Sequence, residues 1–158
     1  MGNHDRRPPP LSRRILRGFD REAFARFRTA AGFEIGDLAR VADIGATTIY
    51  GWERGSRTPQ VDTLSRVAEV LGVAMDELIR VPLSERTLAD LRNLAGLTQP
   101  QLGLKAGIRT TALSKVERAE VPLSDDKAAA IAKALELSIG TVRDAYARAK
   151  ARPPGAPA

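Results

Sequence analysis

Apolar positions along the chain recur with helical spacing, and then the whole pattern recurs. Phe24, Phe27 and Ala31 mark one face of a first helix, and Leu88, Leu91 and Ala95 mark the same face 64 residues later. At the same offset Gly32, Leu38, Ala42, Ile44, Ile49, Glu53 and Ala68 fall on Gly96, Leu102, Ala106, Ile108, Leu113, Glu117 and Ala132, and Leu71 falls on Leu135. No gap is needed. A solenoid needs at least three repeats to bury a continuous core, so two units of about 60 residues predict two small all-helical domains instead.

Each unit carries the same punctuation. Phe19-Asp20 and Leu83-Ser84 each set an apolar residue before an N-cap type, with Phe24 and Leu88 four positions into the helix. That is the hydrophobic-staple pattern of a helix start. Gly32 and Gly96 end the first helix. A short second helix is predicted over 35–42 and 99–106, where Thr98 and Gln101 form a capping box. Three-residue turns follow at Asp43-Ile44-Gly45 and Gly107-Ile108-Arg109. The third helix spans 46–54 and 110–118, with Ile49/Trp52 and Leu113/Val116 facing inward. Thr58 as N-cap with Pro59 at the first helical position, and Ser124 as N-cap, open a fourth helix at 59–71 and 125–136. A fifth is expected at 75–80 and 139–151. The boundaries implied are a basic Arg/Pro-rich arm (1–18), a first domain (19–80), a linker (81–83), a second domain (84–151) and a Pro-rich tail (152–158).

Second helix, turn and third helix make a helix-turn-helix. The two helices cross closely, which suits small Ala39 and Gly103 at the crossing. The turn needs a left-handed residue, which Gly107 adopts freely and Asp43 tolerates.

Composition narrows the chemistry. The 158 residues include no cysteine and one histidine, His4 in the arm. Disulfides, cysteine–zinc sites and Ser-His or Cys-His catalysis are therefore excluded. The carboxylates are scattered and no phosphate loop appears, so no enzyme activity, cofactor, metal or small-molecule ligand is expected. No apolar run approaches the roughly 18 residues of a membrane span, and the N-terminus lacks a signal-peptide apolar region. A cytoplasmic, nucleoid-associated protein is expected. The net charge of +6 and pI near 10.3 favour a polyanionic partner, with nucleic acid the first candidate. That charge is uneven. Residues 20–79 hold seven basic and ten acidic groups, whereas 84–143 hold nine basic and seven acidic.

The stretches GFEIGDLARVADIGATTIYGWERG (32–55) and GLTQPQLGLKAGIRTTALSKVERA (96–119) are similar to the motif of one family. Over 20–79 and 84–143 both units resemble the Cro/lambda-repressor-like, XRE-type helix-turn-helix family of prokaryotic and phage regulators. The resemblance implies an all-α chain of two tandem five-helix lambda-repressor-like DNA-binding domains. It implies structural ion pairs, Arg28 with Glu53 and Arg92 with Glu117. It also places the third helix in the major groove. By position the base-facing candidates are Ala46, Thr47 and Gly51 in the first domain and Thr110, Thr111 and Lys115 in the second, with Tyr50 and Ser114 on the same helices. Gln99 is expected to clamp a phosphate at a helix start, and Arg109, Arg118, Arg54 and Arg57 to flank the reading helices.

The first domain departs from the pattern: Ile35 stands where the glutamine is expected, and Ala46 and Gly51 have no polar reach. It either reads DNA weakly or binds protein. The arginines of the arm (Arg6, Arg7, Arg13, Arg14 and Arg17) either track phosphates or belong to a plain tail; alternatively Leu11, Ile15 and Leu16 form a short helix packed on the first one. The leading reading is a sequence-specific transcription regulator, a repressor that occludes a promoter, acting as monomer or homodimer. The alternative is a protein-interaction module, of antitoxin type or directed at the transcription machinery. There the first domain grips protein and the second sits on DNA.

Overall fold

The computed structural model describes residues 16–156. Among them the chain forms ten α-helices and one 3-10 turn. The first half holds α1 (Arg21–Ala30), α2 (Ile35–Ala42), α3 (Ala46–Arg54), α4 (Val61–Leu71) and α5 (Met75–Leu78). After the 3-10 turn at Leu83–Glu85 come α6 (Leu88–Leu94), α7 (Gln99–Ala106), α8 (Thr110–Glu117), α9 (Asp125–Leu135) and α10 (Ile139–Ala151).

Each half buries its own core. Phe24, Leu38, Ile49, Trp52, Leu64 and Leu78 close the first. Leu88, Leu102, Leu113, Val116, Ile131 and Val142 close the second. Each such side chain contributes about 1.5–3 kcal/mol by leaving water. In the first core Trp52 meets Phe24 edge-on, ring centroids 5.6 Å apart, and Phe19 at 6.4 Å. This geometry suits the aromatic quadrupoles, and it accounts for Trp52 as core.

The two halves start their first helices differently. Asp20 caps α1, its carboxylate accepting the N–H of Ala23 at 2.9 Å, and Phe19 lies 6.0 Å from Phe24 as a staple. Ser84 does not cap α6, and Leu83 is 74% exposed, so no staple forms there. The helix begins three residues later. Thr87 accepts the N–H of Asp90, and the Asp90 carboxylate accepts the N–H of Thr87 at 2.9 Å. Asp90 supplies the reciprocal acceptor a capping box requires; its counterpart 64 residues earlier, Arg26, has none. A second departure is at α4, where Gln60, in extended backbone, is the N-cap and Thr58-Pro59 precedes the helix, with Pro59 buried.

The segment after α5 turns extended and pairs with the chain before α1. Asp20 N–H donates to Leu78 C=O at 2.9 Å and Arg80 N–H to Gly18 C=O at 2.8 Å. Gly18 has φ +81°, and a Cβ on it would stand 2.7 Å from the Arg80 oxygen, so only glycine fits. Leu16 and Val81 are thereby buried in the first core. The sequence reading had assigned them to arm and linker, because pairing between residues 60 apart in the chain leaves no local pattern.

The halves also touch. Leu94 of α6 packs against the first core, and Gly96 lies against Ser65 of α4. Arg17 reaches Glu85 at 3.3 Å and Asp90 at 3.6 Å. Arg86 donates to Val81 C=O at 2.9 Å, and Arg148 of α10 donates to Arg86 C=O at 3.1 Å.

Candidate nucleic-acid interface

The helix-turn-helix is built the same way twice. Asp43 takes φ 54° after α2, and Ile44 N–H donates back to Ala39 C=O at 2.9 Å. Gly107 takes φ 66° after α7, and Ile108 N–H donates to Gly103 C=O at 2.9 Å. The crossing is tighter in the second half. A Cβ on Gly103 would stand 2.6 Å from the Ile108 oxygen.

With Ile49/Trp52 and Leu113/Val116 turned inward, the opposite faces of α3 and α8 stay open. On α8 Thr110, Thr111 and Lys115 are exposed, as is Arg109 at its start, while Ser114 is half-buried. The side chains of Lys115 and Arg109 have no hydrogen bond or ion pair to any described residue. On α3 Ala46, Thr47, Tyr50 and Arg54 are exposed. Gly51 is not part of this surface: it is buried beneath the side chain of Arg57, whose Cδ would stand 2.8 Å from an added Cβ. Gly51 has the helix phase of Lys115, 64 residues on, but the chain folds back so that Arg57 N–H donates to Gly51 C=O at 3.0 Å and the Arg57 side chain covers it. Arg57 itself is exposed.

Behind each open face lies an ion pair between the first and third helices of the half. Arg28 meets Glu53 at two points, 2.5 and 3.1 Å, and donates to Phe33 C=O at 2.7 Å. The hydrogen bond to Glu53 pushes the Arg28 guanidinium above its ordinary pKa, against a smaller opposing effect of burial. Arg92 meets Glu117 at 2.6 and 3.2 Å and donates to Leu97 C=O at 2.8 Å. In both halves one guanidinium thus ties the third helix to the loop that leads into the second.

Several candidates are engaged within the protein. Gln99 is half-buried and donates from Nε2 to Glu117 at 2.7 Å, so one N–H of the expected phosphate clamp is directed inward. Arg118 is half-buried, with Nη2 on Glu120 at 3.0 Å and Nε buried without a hydrogen-bond partner. Arg17 is held by Glu85 and Asp90 and takes no part in an arm free to follow phosphates. Arg6, Arg7, Arg13 and Arg14, with Leu11 and Ile15, lie outside the described residues. The bond from Gln99 to Glu117 has no local signal in the sequence, because the two residues lie 18 positions apart.

Among the described residues no cluster of acidic or histidine side chains could hold a metal ion, and no helix is long and apolar enough to cross a membrane.

This architecture is that of a helix-turn-helix protein, and the family model described as Helix-turn-helix matches residues 24–78 and again residues 88–142. The chain belongs to that family, in its XRE type, as a tandem pair of DNA-binding regulatory modules. No curated protein matches it significantly.

Proposed function

We propose that this chain is a sequence-specific transcription regulator, a repressor whose α8 enters the major groove of double-stranded DNA. Thr110, Thr111 and Lys115 read base edges there, while Arg109 and Arg118 meet phosphates on either side. One observation carries the reading: Lys115 stands on the open face of α8 beside two threonines, with no partner among the described residues. A free ammonium at that place suits the O6/N7 edge of guanine. The α3 face adds Thr47, Tyr50, Arg54 and Arg57, on a half that carries ten acidic groups against seven basic. It contributes less of the affinity. Repression then needs only that the bound site on the nucleoid overlap a promoter.

Selection of the full chain on random duplex DNA tests this. A recovered motif with a guanine that loses its preference in Lys115→Ala supports the reading. A chain that ignores every duplex at low salt refutes it.

A second reading rests on the α3 face itself. Tyr50 is 53% exposed beside Ala46, and Ile35 stands in the clamp position. Such a surface suits a protein partner, of antitoxin type or in the transcription machinery. A selected motif that covers one half-site only, unaltered by Tyr50→Ala, favours this reading.

A further inference from the structure

The last turn of α10 and the segment after it pack beside the end of α8, beyond the second family match, which ends at residue 142. Between them lies an open cleft of about 280 Å³ lined by Arg118, Lys150, Arg152 and the Pro153–Ala156 turn. That is room for a tetrahedral oxyanion and several waters, each occupying about 30 Å³ in the liquid.

We propose that this cleft binds a phosphate group, and that its source is the DNA backbone beside the groove that α8 enters. The second clause rests on the function proposed above. Three cations line the cleft. No carboxylate of the described residues lines the cleft; Glu120, outside it, engages Arg118 Nη2 at 3.0 Å. Both α8 and α10 end here, and their last carbonyls bring negative charge of their own. Arg152 answers that charge, donating to Arg118 C=O at 3.0 Å and to Ala149 C=O at 3.3 Å. These bonds fix the guanidinium in place before any ligand arrives. One uncommitted side chain and one unanswered N–H then remain. Lys150 is exposed and has no partner among the described residues, and Arg118 Nε is buried with none. A buried, unanswered N–H on a charged group is costly, and an incoming anion would relieve it.

The wall is prepared as well. Pro154 and Gly155 sit at the centre of a turn closed by Ala156 N–H on Pro153 C=O at 3.1 Å, with Gly155 at φ +80°. Proline followed by a left-handed glycine is the signature of a type II turn. The turn therefore holds residues 153–156 at the mouth of the cleft.

The test uses the full chain with Lys150→Ala and Lys150→Glu, both at an exposed position that folding does not depend on. Affinity for the selected duplex is measured against salt concentration. If the backbone supplies the phosphate, Lys150→Ala weakens all duplexes by the same factor, several-fold at moderate salt. It also flattens the log–log salt dependence by up to about 0.9, and Lys150→Glu does more. The preferred motif stays unchanged in both. A second arm titrates inorganic phosphate into the DNA-free chain and follows the Arg118 Nε–H resonance. A saturable shift in the wild type, absent from Lys150→Glu, with duplex binding untouched by either substitution, supports a phosphate site supplied by the free ion. No change in either arm overturns the proposal. Failure of the wild type to bind any duplex removes the DNA reading alone and leaves the second arm to decide the cleft.

Discussion

Gln99 and Glu117 are joined by a 2.7 Å hydrogen bond that connects the start of α7 to the buried ion pair at the end of α8. Glu117 already holds Arg92, which in turn holds Leu97 C=O. One carboxylate thus fixes both helices of the second helix-turn-helix. In the first half Ile35 stands in the place of Gln99, and among the described residues Glu53 pairs with Arg28 alone.

The two pairs differ in burial, and their energetic weight should differ with it. The Arg92 and Glu117 side chains are 6% and 1% exposed; those of Arg28 and Glu53 are 13% and 16%. Removing one partner of a buried pair strands the other charge, at about 3–5 kcal/mol. Arg92→Ala should approach that loss and Arg28→Ala should fall short of it. The sole tryptophan, Trp52, sits in the first core, so its fluorescence reports that half while far-UV circular dichroism reports both. In urea, Arg92→Ala should move the dichroism transition more than the fluorescence one. Equal shifts in both, or equal losses from the two arginine variants, would contradict the ranking.

The second crossing is the less forgiving of the two. A methyl at Gly103 meets the Ile108 carbonyl oxygen, a backbone atom that cannot rotate away. The first half accommodates Ala39 at the matching place. Gly103→Ala gains about 1 kcal/mol of helix propensity. Forcing apart a packed crossing costs about 1–3 kcal/mol. The net effect should be a loss, confined to the second half. A variant more stable than wild type by dichroism would show that the turn yields freely.

These two cases also mark how far the sequence could be read. The spans of α2, α3, α7 and α10 follow from periodicity and caps alone, because local signals decide them. The small residues at the crossing follow from the steric demand of the motif. By contrast α6 starts at Thr87 and not Ser84, since the repeat was read by strict offset and Asp90, absent from the first unit, moved the cap. Gly51 shares the helix phase of Lys115 but lies under the side chain of Arg57, six residues on, a cover that a positional carry-over does not check. The inward bond of Gln99 and the capture of Arg17 depend on residues 18 or more positions away. Nothing in their own neighbourhood announces them.

Acid should weaken the first half through Asp20. Its carboxylate is held below the usual value, first by the N–H of Ala23 it accepts and then by the charges of Arg80 and Arg26, with partial burial opposing. A pKa lowered in the folded state means the contribution is present above the unfolded value, about 3.9, and is lost as pH falls through the folded one. Asp20→Asn keeps an N-cap oxygen without the charge. The wild-type Trp52 transition should therefore lose more stability from pH 5 to pH 3 than that of the variant. Parallel curves would assign the acid response to other groups.

Arg17 should matter to the fold and not to DNA. Its half-open guanidinium is spent on exposed Glu85 at 3.3 Å and, more loosely, on buried Asp90 at 3.6 Å, which Thr87 also holds. Exposed pairs contribute about 0–1 kcal/mol. Arg17→Ala should produce a loss of that size and leave the salt dependence of duplex binding unchanged. A flatter salt dependence in this variant would return Arg17 to the phosphate-contacting arm.

Lys115 and Arg118 stand three residues apart on and after α8, yet they should fail in different ways. Lys115 projects from the exposed face of α8, which we propose reads base edges, so Lys115→Ala should erase preference at one base pair, a discrimination of about 1–3 kcal/mol. Arg118 sits at the helix end beside Glu120 and the cleft, off the base-reading face. Its removal should weaken all duplexes alike. Competition of wild type and variants on a panel of single-base operator mutants separates the two patterns. If both substitutions lower every affinity by one common factor, α8 does not read bases through Lys115, and specificity must come from the threonines or from the shape of the duplex.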